Sequence, residues 1–337
     1  MYSRRIPLLG LVAVLASTFG SAAPIDPYMG RWALTIPGGG AGWLGIAKAD
    51  AGFLDAHILW GGGSVVPCES VYMDGDTLVV TRISDVERKD QKGQVVRTQR
   101  FTDTIRAKVN GDELNLELIK PFRDGTGIEK HSFTGKRIAD LPAPPDLSKV
   151  KFDKPIDLFN GKDLTGWTLT NEHQTNGWSV VDGLLVNNPV QTEGKPHISY
   201  GNLRTVAEFE DFNFKCDVMV EPKGNSGIYL RGIYEVQVMD SFGMELDPHH
   251  MGGIYSRIAP IEAVEKPAGE WQTFDITLCD RHITVVLNGK TIIDNAPLEG
   301  CTGGALWAEE FKPGPIYLQG DHTGVKYRNI VLTPIEK

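Results

Sequence analysis

The chain has 337 residues, a formal net charge of −9 and 41% hydrophobic residues. The acidic balance excludes a charge-held nucleic acid or anionic membrane as partner, and the length allows about two domains. Its 38 glycines and 20 prolines, spread between short β-rich runs, point to strands joined by tight turns.

The first element is a leader. Arg4 and Arg5 precede an uncharged apolar run from Ile6 to Ala16, and small residues then gather at Ser17, Gly20, Ser21, Ala22 and Ala23. This is the layout of a secretory signal peptide over residues 1–23, too short for a membrane span. Cleavage is expected after Ala22 or Ala23, with Pro24 favouring Ala22. No cysteine near the cut suggests a lipid anchor, and no other run is long and apolar enough to cross a bilayer. The expected mature protein is soluble and exported, to the periplasm or the medium. Its charge falls to −11, because two of the 34 basic side chains leave with the leader while all 43 acidic ones remain.

Residues 24–140 read as a small β-rich domain. Gly30-x-Trp32 opens it, in a segment similar to the first strand of lipocalin-like barrels, where such a tryptophan closes one end. Further on, Leu114, Leu116 and Leu118 alternate with Asn115, Glu117 and Ile119, the period of a half-buried strand. Asp74-Gly75 and Asn110-Gly111 are hairpin turn signals. Trp32, Trp43, Trp60 and the GGGS run at 61–64 read as barrel plug and turns; the alternative is the lining of a sugar groove.

Residues 141–155 form a Pro-rich linker, since closely spaced prolines sustain neither helix nor central strand. The remaining residues, 156–337, are again nearly all short strands, which predicts a sandwich or barrel. Asn288-Gly289 joins HITVVL to KTIID as a type I′ hairpin. Cys216 falls in phase with Phe212, Phe214, Val218 and Val220, so it reads as a core residue. Cys279 and Cys301 could form a disulfide in an oxidising compartment; buried thiols are the alternative. A P-loop, HExxH and GxSxG are all absent from the sequence.

The ordered series LFNGKDLTGW (158–167), WSVVDGLL (178–185), GNSGIYLRG (224–232), YEVQVMD (234–240), GGIYSRIAP (252–260), GEWQTFDITL (269–278), LNGKTIID (287–294) and IYLQGDHTGVKYRNIVL (316–332) resembles the 3-keto-disaccharide hydrolase family. The resemblance covers only the C-terminal domain. It implies a concanavalin A-like jelly roll of two curved antiparallel sheets, a carbohydrate substrate, and cleavage of a sugar already oxidised at C3. In that chemistry the ketone acidifies the C2 proton, and its removal lets the C1 substituent leave by β-elimination. Water can then add, giving net hydrolysis. The needs are a base near C2, a cation or donors near O3, and an acid near the departing oxygen.

Strand alternation nominates the residues. On YEVQVMD, Glu235, Gln237 and Met239 share the face opposite Tyr234, Val236 and Val238. On SGIYLRG, alternation pairs Tyr229 with Arg231 against Ile228 and Leu230, so an Arg231–Glu235 pair across neighbouring strands is expected. Glu235 is the candidate base. Arg231 and Gln237 are expected to hold the ketone or hydroxyls and to steady the enolate oxygen. His322, after IYLQGD, is the proton donor, and Asn225, Tyr255 and Gln319 complete the substrate rim. A divalent metal ion is an alternative source of positive charge, with Asp240, Asp247, His249, His250 and Asp321 as the available ligands. Adjacent histidines in a loop have no enforced geometry, so no metal site is assigned.

Two other functions fit the same fold: a non-catalytic lectin, and a conventional glucanase. The glucanase reading needs paired carboxylates, whereas YEVQVMD places Gln237 where the second would stand. Oligomeric state is open at this level.

Overall fold

The computed structural model describes residues 24–336, so the signal-peptide segment lies outside the described residues. Apart from one turn of 3-10 helix at Asp26–Tyr28, the described elements are all strands. No helix among the described residues is long and apolar enough to cross a membrane.

The N-terminal strands form one nine-stranded sheet. From Gly30–Leu34 the chain meanders through Gly42–Lys48 and Leu54–Trp60, and the last strand, Ile128–Ile138, returns to pair with the first. The two ends of the sheet are Val66–Pro67 and Ser70–Asp74, separated in the chain only by Cys68 and Glu69. The sheet must therefore curl until its edges meet, giving a barrel. Alternation fills it: Leu114, Leu116 and Leu118 are buried, while Asn115 and Glu117 are not. Trp32 is wholly buried, its indole N–H donates to the Tyr28 carbonyl at 2.9 Å, and the Arg137 guanidinium lies 4.1 Å from its ring centroid. Trp60 meets Phe133 edge to face at 5.6 Å under Arg82. Both tryptophans are packing residues of the barrel.

The C-terminal strands form a sandwich of two antiparallel sheets. The larger runs, in order, Trp178–Val181, Leu184–Asn187, Val325–Pro334, Phe212–Val220, Gln272–Cys279, His282–Leu287 and Lys290–Pro297, with Ile156–Asp157 also on Val325–Pro334. The smaller runs Trp167–Leu169, Leu203–Thr205, Tyr317–Leu318, Asn225–Leu230 and Tyr234–Met239. Phe212, Phe214, Cys216, Val218 and Val220 face Ile228, Leu230, Val236 and Val238 in one core, each contributing about 1.5–3 kcal/mol through burial of its apolar surface. Asn288 and Gly289 have φ of 50° and 80°, as the type I′ turn requires. All four cysteines are thiols, so the Cys279–Cys301 bridge is not formed.

Barrel and sandwich share a seam. Trp43 leaves the barrel wall to join the sandwich core, with the Arg257 guanidinium 4.4 Å from its ring centroid. Its slot exists because two flanking residues lack side chains. A Cβ would fall 2.3 Å from the indole at Gly45 and 2.4 Å from it at Gly300. The end of the barrel domain is strapped to the sandwich as well, since Arg281 donates to the carbonyls of Ala139 and Asp140 while pairing with buried Glu310 at 3.1 Å. Trp43→Ala empties the slot and is expected to lower the unfolding free energy by about 3–5 kcal/mol, measurable as a reduced midpoint in urea.

Candidate active site

The smaller sheet turns its concave face to a cleft of about 240 Å³. Three adjacent strands supply the floor: Asn225 and Tyr229 from the first, Glu235 and Gln237 from the second, and Tyr317 from the third, with Gln319 just past its end. The opposite faces carry Ile228, Leu230, Val236 and Val238 into the core. A period of two thus sorts each strand into an apolar side held by packing and a polar side free to do chemistry. Asp321 and His322 form one wall, Tyr255 and the Gly303–Gly304 backbone others, and Gly62 and Gly63 arrive from the barrel.

Glu235 is the centre of this arrangement. It is 3% exposed and pairs directly across the ladder with Tyr229. Its carboxyl occupies space that Gly227 leaves open, since a Cβ at 227 would fall 2.2 Å from the carboxyl oxygen. The Tyr229 hydroxyl lies 2.7 Å from that carboxyl and also 2.7 Å from the Gly303 carbonyl. The Tyr229 ring stacks on Tyr317 at 3.8 Å and 10°, and the Tyr317 hydroxyl donates to the Gly304 carbonyl at 2.9 Å. Burial pushes the Glu235 pKa up to about 8, against the opposing pull of the Tyr229 hydrogen bond and the charge of His322.

One hydroxyl proton cannot serve two acceptors. If Glu235 is ionised, Tyr229 donates to it and leaves the Gly303 carbonyl unserved. If Glu235 is protonated, it donates to Tyr229, which donates onward to Gly303, and every group is satisfied. The hydrogen-bond geometry therefore favours a proton on Glu235, in the same direction as burial.

The His322 side chain is 43% exposed, and its Nδ1 lies 2.8 Å from an Asp321 oxygen. That contact raises its pKa above the usual histidine value, with burial opposing. Among the described residues it is the one cleft-lining side chain that can carry positive charge. The Gln237 amide N–H donates to Asn225 Oδ1 at 3.2 Å, which fixes the amide orientation. That leaves Gln237 Oε1 without a partner, and Gln319 Oε1 is likewise unpartnered. Two buried acceptors lining one cleft suit a ligand rich in hydroxyl donors.

Of the residues nominated from the sequence, the structure gathers Glu235, His322, Asn225, Gln237, Tyr255 and Gln319 around this cleft. Arg231 is a correction. The strand ends at Leu230, and Arg231 takes a left-handed φ of 54°, which breaks the alternation that predicted its direction. Its guanidinium donates instead to the carbonyls of Glu310 and Lys312, beside a separate cavity near the linker. The expected Arg231–Glu235 pair does not form, and Tyr229 is the true partner of Glu235. The proposed metal ligands are dispersed. Asp247 pairs with His249 at 2.6 Å, His250 meets the Glu245 carbonyl, Asp240 accepts from the Lys223 N–H, and Asp321 holds His322. No group of three such side chains placed to hold a metal occurs among the described residues, so no step is assigned to one. Sequence reasoning missed Tyr229 as a site residue, along with Asn202 and Gly227; the period-two face shared by Asn225, Gly227 and Tyr229 was the available signal.

The buried carboxyl carries a stability signature. Its pKa is raised, so the folded state binds the extra proton between the unfolded value near 4.5 and about 8. Its favourable contribution is full below about pH 4.5 and is lost as pH rises through 8, up to an order of 5 kcal/mol at about 1.4 kcal/mol per unit. Glu235→Gln should match the wild-type melting temperature near pH 5 and exceed it at pH 8, by scanning calorimetry across that range.

Comparison with curated proteins finds no match. Among solved structures, one from Parabacteroides distasonis named as a candidate glycosyl hydrolase shares 27% identity, covering 58% of this chain and 93% of that one at a TM-score of 0.43. A second from the same organism, named likewise, shares 22% identity over 54% and 94% at 0.43. Carbohydrate-binding module CBM66 from Bacillus subtilis shares 13% over 51% and 96% at 0.33. Residues 154–333, more than half of the chain, match the model of the 3-keto-alpha-glucoside-1,2-lyase-like domain, and the protein belongs to that family of carbohydrate-active domains.

Proposed function

We propose that the protein is an exported enzyme that cleaves 3-keto-glycosides by proton abstraction at C2. The observation that carries this reading is Glu235, a buried carboxyl with a pKa near 8 on the floor of a cleft beside His322. A base near C2 of a ketone works best with a pKa close to the operating pH, and an ordinary carboxylate is too weak. Burial supplies the missing basicity.

In this scheme Glu235 takes the C2 proton, and the C–H pair moves to give the enolate with its charge on O3. The enolate collapses: C3=O re-forms, a C1=C2 double bond forms, and the C1–O bond breaks. His322 delivers a proton to the departing oxygen. Water adding its oxygen to C1 and a proton to C2 then gives net hydrolysis. Gln237 and Gln319 accept from sugar hydroxyls through their unpartnered oxygens, and the Asn225 amide sits beside them at the rim. With Arg231 directed elsewhere, the positive charge near the substrate falls to His322.

The second carboxylate of the cleft, Asp321, is tied to His322 at 2.8 Å, and an amide stands two residues on from Glu235, an arrangement that disfavours ordinary two-carboxylate glycoside hydrolysis. Export to the periplasm or medium belongs to the same proposal and rests on the leader sequence.

The test is release of a chromogenic aglycone from a 3-keto-glucoside beside its unoxidised glucoside. Release from the keto form alone is expected. Glu235→Gln should lose roughly 10³-fold or more in kcat/KM and His322→Ala about 10²-fold, the range for general acid–base groups. In the wild type, kcat/KM should be bell-shaped in pH, because the active form needs Glu235 ionised and His322 protonated. The limbs belong to the coupled pair. Full activity in Glu235→Gln, or equal release from the unoxidised sugar, contradicts the proposal.

A further inference from the structure

The family match begins at residue 154, yet the cleft is not closed by that segment alone. Gly62 and Gly63 line it, from the loop between barrel strands Leu54–Trp60 and Val66–Pro67. We infer that this barrel loop, Gly61–Ser64, is a working wall of the substrate cleft that makes it a pocket for a short glycoside or a chain end and keeps out the interior of a polysaccharide. The inference rests on the carbohydrate reading above.

Three contacts hold the loop to the sandwich. The Gly304 N–H donates to the Gly61 carbonyl at 3.3 Å. Ser64 Oγ lies 2.8 Å from His249 Nε2, whose Nδ1 is in turn fixed by Asp247 at 2.6 Å. The Val65 N–H donates to Ser256 Oγ at 2.9 Å. These partners sit in sandwich loops around the cleft, and His249 also packs edge to face on the cleft residue Tyr255 at 4.7 Å. The two domains meet here backbone to backbone, since a Cβ at Gly303 would fall 1.9 Å from the Gly63 carbonyl.

Gly61 and Gly63 hold left-handed φ values of 78° and 79°, which favour glycine. Bare backbone closes one side while leaving about 240 Å³, below the roughly 300 Å³ at which pockets for drug-sized ligands begin. That is room for a sugar ring and a modest aglycone. A sandwich groove open at both ends lets a polymer run through; a walled one does not.

Gly62 offers a clean perturbation. Its φ is not in the left-handed region, and a Cβ there meets nothing within 4 Å. Gly62→Trp in the full chain should keep the wild-type melting temperature and bind a glucose disaccharide at least tenfold more weakly by titration calorimetry. The wild type should bind a long soluble glucan at least tenfold more weakly per glucose unit than the disaccharide. Ser64→Ala, which cuts the His249 tether without adding bulk, should shrink that preference. Unchanged disaccharide affinity in a folded Gly62→Trp, or equal per-unit affinity of the wild type for glucan and disaccharide, overturns the wall. If Gly62→Trp does not fold, an unchanged preference in Ser64→Ala overturns it. Disaccharide binding without turnover of a keto-glucoside sinks the proposed chemistry and leaves the wall standing, whereas binding of neither the disaccharide nor the keto-glucoside by the wild type sinks both.

Discussion

The Glu235 carboxyl sits where residue 227 has no side chain, against the hydroxyl of a tyrosine stacked on a second tyrosine. Burying a carboxyl so deeply is costly unless it is neutral or well partnered. The local structure answers with one hydroxyl between two acceptors, satisfied in full only when Glu235 brings a proton of its own. The constraint reaches outward. Tyr229 is held by its stack on Tyr317 and by Gly303, and the Tyr317 hydroxyl by Gly304. Those glycines lie in the loop against which the barrel packs. A perturbed pKa, a strand pair and a domain seam are thus one connected object.

The barrel is part of the same construction. Trp43 enters the sandwich core through a slot bounded by Gly45 and Gly300, and Arg281 straps the end of the barrel domain to the sandwich while neutralising buried Glu310. These contacts fix the angle at which the GGGS run meets the cleft. Loops carry specificity best when a rigid scaffold presents them, and here the scaffold belongs to one domain while the chemistry belongs to the other.

Much of this was legible in the sequence, for a definite reason. In a β-sandwich the core is selected by alternation, so the residues left on the other face announce themselves. YEVQVMD assigned Glu235 and Gln237 to one side, Cys216 fell into phase with Phe212 and Phe214, and Asn288-Gly289 marked its turn. Alternation holds only while the strand lasts. Arg231 lies one residue beyond the strand end with a left-handed φ, so its predicted direction failed and its pairing with Glu235 failed with it. The role of Gly62 and Gly63 was hidden for a different reason. Nothing local to GGGS says which surface, some 240 residues away in the chain, it will press against. The same holds for the choice of Tyr229 as the partner of Glu235, which depends on ladder register.

The central claim is that a proton leaves C2 before the glycosidic bond breaks. Its most direct test is to run the reaction on a 3-keto-glucoside in D₂O, with an enzyme-free control for spontaneous exchange, and to read the hydrogen at C2 of the released sugar by mass spectrometry. The original C2 hydrogen should be gone from every product molecule, either absent in the unsaturated ketone or replaced by deuterium after water adds. Products that retain protium at C2 would contradict the claim.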